Sequence, residues 1–595
     1  MLRFLLAGLV ATVASALLAC SQGSAPPPAS RAHAVPPVEQ LARLVEQYWD
    51  ESQRLNPHSR SALVRFEPTA AYDISPQSLA DSLDLERRYR DALLAVPRGG
   101  LDAESQLTYD IFKRERDVAI EGFTYPSELM PVNPFRSVPL EFARAGAGVG
   151  PYAILSAKDY ESWRVRAGDY VHWTAQAIAN MREGLRRGYV LPHVLVARTL
   201  PILAELGTDT ASNVFYGPLA AIPPSVRAEE RRRFSDGIVT GVKEQILPAY
   251  RRLHDFLRDE YLPRARHSTA LSALPLGPAW YAYLVRRETA STLVPADIHA
   301  IGVAETERLH DRLQSLLAEA GFAGTAQAYF EAAQREPPIA YKTPEELLDF
   351  YAELKVSAAA AVPLEFADSP QADFLIRAVE PFRAGGAPAV FYERAANRSA
   401  APVLYVDTIT QPLIPRTADF LREALPGHHL QLTVQQERSG LPSFRRFGGD
   451  PGFVEGWGLY AEWMMQPYEP AEGRLVTLDL RLLRDARAFL DPELESGKIT
   501  PDDAYKVLEK DVVLSHGFAK EEVERFTYRM PGQANSYFYG YTKLLELRKD
   551  TEAALGAKFD QKKFHDFLLA QGLLPPDLMR KAVMEEFVPR MKKGK

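Results

Sequence analysis

Twelve histidines occur in the 595 residues, and only His428 and His429 are adjacent. They stand in Phe420-Leu421-Arg422-Glu423-Ala424-Leu425-Pro426-Gly427-His428-His429-Leu430-Gln431. A helix length later the chain reads Phe453-Val454-Glu455-Gly456-Trp457-Gly458-Leu459-Tyr460-Ala461-Glu462. These residue types suit metal-assisted hydrolysis. A catalytic zinc takes about three His or carboxylate ligands and keeps one position open for water. A nearby carboxylate then takes the proton of that water, and Glu423 is close enough in sequence to the histidine pair to be this base. His428, His429 and Glu455 are the candidate ligands. Glu462 is seven residues beyond Glu455, about 10 Å further along the same helix face, where it can support a ligand from behind.

The same residues admit plainer accounts. An adjacent histidine pair is often one packed and one solvated side chain, and glutamates on a helix ordinarily mark its wet face. Here, however, Glu455 and Glu462 lie among Phe453, Trp457, Leu459, Tyr460 and Trp463, and carboxylates in so apolar a helix need a partner. A bound cation is one such partner and an arginine is another. No histidine in the chain is followed by glutamate, so the ordinary His-Glu-x-x-His zinc signature is absent. The i, i+7 glutamates also admit a glycosidase, although a spacing of about 10 Å is just beyond the usual carboxylate separations. Further on, Gln533, Asn535, Tyr537, Tyr539 and Tyr541 offer donors to a tetrahedral oxyanion; for Tyr539 and Tyr541, packing against the core is the preferred account.

The elements that must position these residues are mostly helices. Val38–Arg54, Asp84–Val96, Ala103–Phe123, Lys158–Arg187, Val226–Asp259 and Pro295–Ala320 carry apolar residues at i, i+3, i+4 spacing. The 45 prolines cluster at breaks, such as Pro131 to Pro139, Pro223-Pro224, Pro337-Pro338 and Pro501. Between about 370 and 415 the texture changes: Phe374–Val379, Ala389–Glu393 and Val403–Thr408 have strand-like composition. The expected fold is therefore mainly α, a large two-lobed helical body with a small antiparallel β-sheet. Val403–Thr408 is the expected sheet edge for an extended peptide.

At the N-terminus, Met1-Leu2-Arg3 precedes an apolar run from Phe4 to Ala19 and then Cys20, the only cysteine. That run falls short of the roughly 20 residues a permanent membrane span needs and has the layout of a signal peptide, residues 1–19. Leu17-Leu18-Ala19-Cys20 resembles the lipobox at which the cysteine of a bacterial lipoprotein is lipidated. Residues 20–37, rich in Pro, Ser and Ala, are the expected tether, leaving 38–595 as one helical domain. With Ser21 after the cysteine, lipoproteins of this kind sort to the outer membrane, here its periplasmic face. The chain is 46% hydrophobic and 25% charged with net charge −7, and no basic stripe points to nucleic acid.

The sequence resembles the bacterial family known as domain of unknown function 885, grouped with the gluzincin-type metallopeptidases. Its landmarks here include Pro275-Leu276-Gly277 with Tyr281, Ile298-His299-Ala300-Ile301-Gly302, Ala401-Pro402-Val403-Leu404-Tyr405-Val406, Pro426-Gly427-His428-His429-Leu430-Gln431 and Phe444-Arg445-Arg446-Phe447-Gly448-Gly449. They continue with Glu455-Gly456-Trp457-Gly458-Leu459-Tyr460-Ala461-Glu462 and Pro531-Gly532-Gln533-Ala534 with Ser536-Tyr537 and Gly540. The resemblance implies a zinc-peptidase-like fold and a central His-Glu-x-x-Pro-Gly-His-His motif. On that motif Glu423 matches the general base, His428 the second histidine ligand and Glu455 the downstream glutamate ligand, with Gln533 and Tyr537 also inside family motifs. The first histidine falls on Arg422. Arginine cannot ligate zinc, and a fixed positive charge repels a dication. A second departure falls at Glu495, where the resemblance implies histidine.

Three accounts stay open. His428, His429 and Glu455 hold zinc or another divalent metal, with Arg422 turned away to a carboxylate. Alternatively, Glu423 is itself a ligand, with Glu462 or a tyrosine handling protons. Or the metal is lost and the cleft binds without cutting. The expected function is accordingly a metal-dependent peptidase acting on short peptides outside the cytoplasm, the alternative a non-catalytic peptidase scaffold acting as a surface binding lipoprotein.

Overall fold

The computed structural model describes residues 35–55, 73–134, 137–148, 152–319, 321–335, 339–368, 372–379, 389–393, 401–409, 413–469 and 471–594. The signal peptide, Cys20 and the tether up to residue 34 lie outside the described residues, as do the Pro337-Pro338 break and the polar stretch 394–400. The described chain is mainly helical. None of its helices is long and apolar enough to cross a membrane.

Local chemistry sets the helix ends. Ser156 caps the helix Ala157–Arg187 by accepting from the Asp159 N–H, and Gly188 closes it at φ +83°, a conformation open to glycine at little cost. Thr343 and Glu346 form a reciprocal capping box on Pro344–Glu365. The expected single helix Val226–Asp259 is a rod of four pieces. Ala228–Gly241 runs into a π-turn at Val242–Ile246, an α segment at Leu247–Phe256 and a second π-turn at Leu257–Tyr261. Two more π-turns occur among the described residues, Arg525–Arg529 and Val583–Phe587. Each of the four is followed two residues later by proline: Pro248, Pro263, Pro531 and Pro589. Proline lacks the N–H and crowds the carbonyl four residues back, and a widened turn accommodates both defects.

The small sheet is mixed, which corrects the antiparallel expectation. Its order is β1 (Leu375–Ala378), β3 (Val403–Val406), β2 (Val390–Glu393). β2 reverses the chain and pairs antiparallel with β3, so β1 and β3 run the same way and pair in parallel. β3 is thus the central strand rather than an edge, and both of its backbone sides are occupied. It cannot be the line along which a peptide is added.

Four apolar cores organise the described residues. One joins the N-terminal helices to Phe420, Leu421, Trp457, Tyr460 and Tyr537. A second lies within residues 132–265 and a third packs Leu309–Leu317 on Leu475–Leu494. The fourth surrounds Trp280, Tyr281 and Phe538. The site helices meet in the first core, where Pro451–Met465, carrying Glu455, crosses Ala534–Leu555, carrying Tyr537. They cross backbone on backbone: a Cβ at Gly456 would fall 2.4 Å from the Gly540 carbonyl carbon, and one at Gly540 only 1.8 Å from the Gly452 oxygen.

Candidate functional site: an arginine among the expected metal ligands

The central motif does not form one helix. Thr417–Glu423 stops, Leu425-Pro426 is a cis peptide, and a new helix, His428–Glu437, starts after Gly427. Pro426 has no N–H to continue the first helix. Gly427 lies so close under Arg422 that a Cβ there would meet the Arg422 carbonyl oxygen at 1.8 Å. The Trp457 indole N–H donates to the Pro426 carbonyl at 3.1 Å and ties this turn to the Glu455 helix.

The turn delivers Arg422 and His428 to the same place. One Arg422 nitrogen is 2.6 Å from a Glu423 oxygen; the other donates to Glu455 Oε2 at 3.0 Å and lies 3.4 Å from His428 Nε2. Gly458 makes room for both side chains, since a Cβ there would be 2.8 Å from Arg422 Cγ and 2.9 Å from His428 Cε1. The second Glu423 oxygen accepts the Tyr392 backbone N–H at 3.1 Å. Arg422 is thus not turned away from Glu423, His428 and Glu455 but is their common partner.

Electrostatics follow from that contact. Burial penalises the Glu455 charge, but Arg422, His428 and Arg525 outweigh it and hold the carboxyl below its ordinary pKa. Burial likewise opposes the Arg422 charge, yet Glu423, Tyr537 and Glu455 hold its pKa above the usual arginine value. For His428, burial dominates and lowers the pKa, with Arg422 acting in the same direction. The buried imidazole is therefore neutral and the ion pair charged.

Two expected members stand apart. His429 faces the sheet side: its Nδ1 lies 3.3 Å from Thr433 Oγ1 and 3.4 Å from the Tyr392 hydroxyl, and its ring packs 4.7 Å from Phe374. Burial lowers its pKa to about 4. Glu462 is only 2% exposed and pairs with Arg484 at 3.3 Å, while burial raises its pKa to about 7. The two glutamates of the i, i+7 pair therefore answer to different arginines, and Glu462 reaches no cleft in which a sugar could lie between them.

Gln533 and Tyr537 do come to the site, as acceptors from an arginine. Arg525 donates to the Tyr537 hydroxyl at 2.8 Å and to Gln533 Oε1 at 3.2 Å. Three guanidinium groups surround the Tyr537 ring, Arg487 at 4.8 Å, Arg525 at 5.3 Å and Arg422 at 5.5 Å, and Arg487 forks onto Glu522 at 2.7 Å through both nitrogens. Sequence reasoning missed Arg484, Arg487, Arg525 and Tyr392. The visible signal was arginine recurring on the apolar helix Ala471–Ser496, where a buried cation demands an acid. Tyr539 and Tyr541 are buried as packing residues. Glu495 sits in a separate cluster, accepting the Leu271 N–H at 2.6 Å beside Asp491.

As arranged, these residues do not fit a catalytic metal. His428 Nε2 and Glu455 Oε2 are 3.8 Å apart, near enough to share an ion, but Arg422 holds the Glu455 oxygen and approaches the His428 nitrogen. No group of three or more His, Cys, Asp or Glu side chains among the described residues is arranged to hold a metal ion.

No curated protein matches the chain. Solved structures share its fold, two of them described as lipoprotein candidates. A lipoprotein candidate from Colwellia psychrerythraea aligns with TM-score 0.80 and 21% identity over 94% of this chain and 100% of that one. A lipoprotein candidate of unknown function from Shewanella oneidensis aligns with TM-score 0.70 and 15% identity over 91% and 99%. At these identities the likeness is one of fold. The model of one family matches residues 66–583, and the chain belongs to that family, DUF885, a bacterial protein family of unknown function.

Proposed function

We propose that this protein is an envelope lipoprotein, anchored through Cys20, whose peptidase-like site binds peptides without cutting them. One observation carries the reading: the Arg422 guanidinium bonds Glu423 and Glu455 and lies within 3.4 Å of His428 Nε2. A guanidinium supplies positive charge and donors, but it has no open coordination position at which a water could be held and ionised. Glu423, the expected base, has one oxygen on Arg422 and the other on the Tyr392 N–H. What this arrangement offers a peptide is a set of fixed cations, Arg422 and Arg525, that can donate to a backbone carbonyl or a terminal carboxylate. The lipobox-like sequence at Cys20 and the description of both matched structures as lipoprotein candidates support the envelope location.

A metal-dependent peptidase is the second reading, favoured by the 3.8 Å separation of His428 Nε2 and Glu455 Oε2. It requires Arg422 to leave both groups. Metal analysis of the purified mature chain, combined with mass spectrometry of a peptide mixture incubated with it, separates the two. The binding reading expects peptides retained with unchanged termini and no stoichiometric transition metal. One equivalent of metal, with cleavage that disappears in Glu455→Ala, overturns it.

A further inference from the structure

A cavity of about 720 Å³ lies away from Arg422, between the second and fourth cores. Its volume is in the range of small-molecule sites. Five aromatic side chains line it, Phe123, Tyr125, Trp280, Tyr283 and Tyr528. Tyr125 and Trp280 stack 5.7 Å apart, and Tyr125 and Tyr283 lie 5.1 Å apart, so the rings form one continuous wall. They come from neighbouring pieces of chain: Phe123 and Tyr125 follow the helix Ala103–Gly122, while Trp280 and Tyr283 lie one turn apart on Gly277–Thr289.

The charges around this wall are unequally satisfied. Arg287 forks onto Glu288 at 2.9 and 2.6 Å. Arg266 spends its donors on the carbonyls of Val190 at 2.9 Å, Ala270 at 2.8 Å and Ser268. Glu128 is different. Its half-buried carboxylate is bonded to its own backbone N–H and pairs with no cation among the described residues, Arg187 acting on it only through space. Burial raises its pKa. The cavity thus combines one carboxylate held in no ion pair among the described residues with aromatic faces, which attract cations through their quadrupoles.

We infer that this cavity is a second ligand site, for a small apolar or aromatic molecule bearing one ammonium group. The apolar part lies against the Tyr125–Trp280–Tyr283 wall, and the ammonium pairs with Glu128. The inference does not depend on the reading of the Arg422 site. Calorimetric titration of the full mature chain with 4-phenylbutylamine and with 4-phenylbutyrate tests it. The amine should bind at least tenfold more tightly than the carboxylate, Glu128→Gln should weaken the amine about tenfold and leave the carboxylate unchanged, and Ala119→Phe, which fills the cavity, should abolish both. Equal or tighter binding of the carboxylate, or amine binding indifferent to Glu128→Gln, overturns the inference. So does absence of amine binding in a chain whose circular dichroism shows it folded.

Discussion

Arg422 and Glu455 meet at 3.0 Å in a site whose family resemblance implies a divalent ion between histidines and that same glutamate. The guanidinium and the carboxylate arrive from different helices, and each favours the other's charged form against the penalty of burial. Removing one partner of such a buried pair leaves the other uncompensated, at a cost of about 3–5 kcal/mol. Arg422→Met should lower stability by that order, measured as the denaturant midpoint. Adding Glu423→Gln and Glu455→Gln to the variant should recover much of the loss. A single variant within 1 kcal/mol of the natural chain would show that the pair is already solvated.

Restoring histidine at the departure should restore metal chemistry with a defined ligand set. Arg422→His is expected to bind zinc by calorimetry where the natural chain does not. His428→Ala or Glu455→Ala in that background should abolish binding. His429→Ala should leave it nearly unchanged, since His429 faces Phe374 and Thr433. Loss of zinc on His429→Ala would mean the ring reaches the site after all.

Glu462 predicts a pH signature of definite sign. Its folded pKa, about 7, is raised above the ordinary 4.5. The folded state therefore keeps a proton that the unfolded state releases, and stability is lost as pH rises between those values. Glu462→Gln should remove one proton from this dependence. The variant should gain on the natural chain between pH 4.5 and 8 by up to about 3 kcal/mol, read from denaturation at each pH. A difference independent of pH sinks the assignment.

Two glycines in helices should behave oppositely. Gly456→Ala places a methyl 2.4 Å from the Gly540 backbone, where neither helix can yield, and should cost more than about 3 kcal/mol or prevent folding. At Gly168, within Ala157–Arg187, an added Cβ meets nothing within 4 Å. Gly168→Ala should stabilise by about 0.5–1 kcal/mol through the unfolded chain and helix propensity. Thermal unfolding of the two variants side by side checks both.

Periodicity made the long helices legible to within a few residues at most ends, as in Ala103–Gly122 and Ala157–Arg187. It set the start of Pro76–Leu94 eight residues late, at Asp84 rather than Pro76, because the first turns carry too few apolar side chains for the pattern to register. The sheet was visible as composition, but strand order is a long-range property. Nothing local to Val403–Val406 states that β1 returns to its far side. Within the site, Glu423, His428 and Glu455 converge as their motif suggests, because the turn at Pro426-Gly427 and the room at Gly458 are local facts. His429 could not be placed, since adjacent residues at a helix start point about 100° apart and sequence does not say which faces inward. The partners of the arginines around Tyr537 were hidden for another reason: a buried ion pair needs a partner remote in sequence, and neither half announces the other.

The glycine crossing of the Glu455 and Tyr537 helices bears on how such a site can be rebuilt. With Gly456 against Gly540 and no side chain between the backbones, Glu455 and Tyr537 behave as one casting, with no room for a larger residue at the joint. The other half, the turn from Arg422 to His428, is held to the Glu455 helix through side chains, by the Trp457 hydrogen bond and by Arg422 and His428 packed over Gly458. Chemistry can be exchanged there without recutting the frame, and Arg422 sits on that exchangeable side. A designer wanting a different cation, ligand or reaction in this scaffold should leave the casting alone and write new residues into the turn.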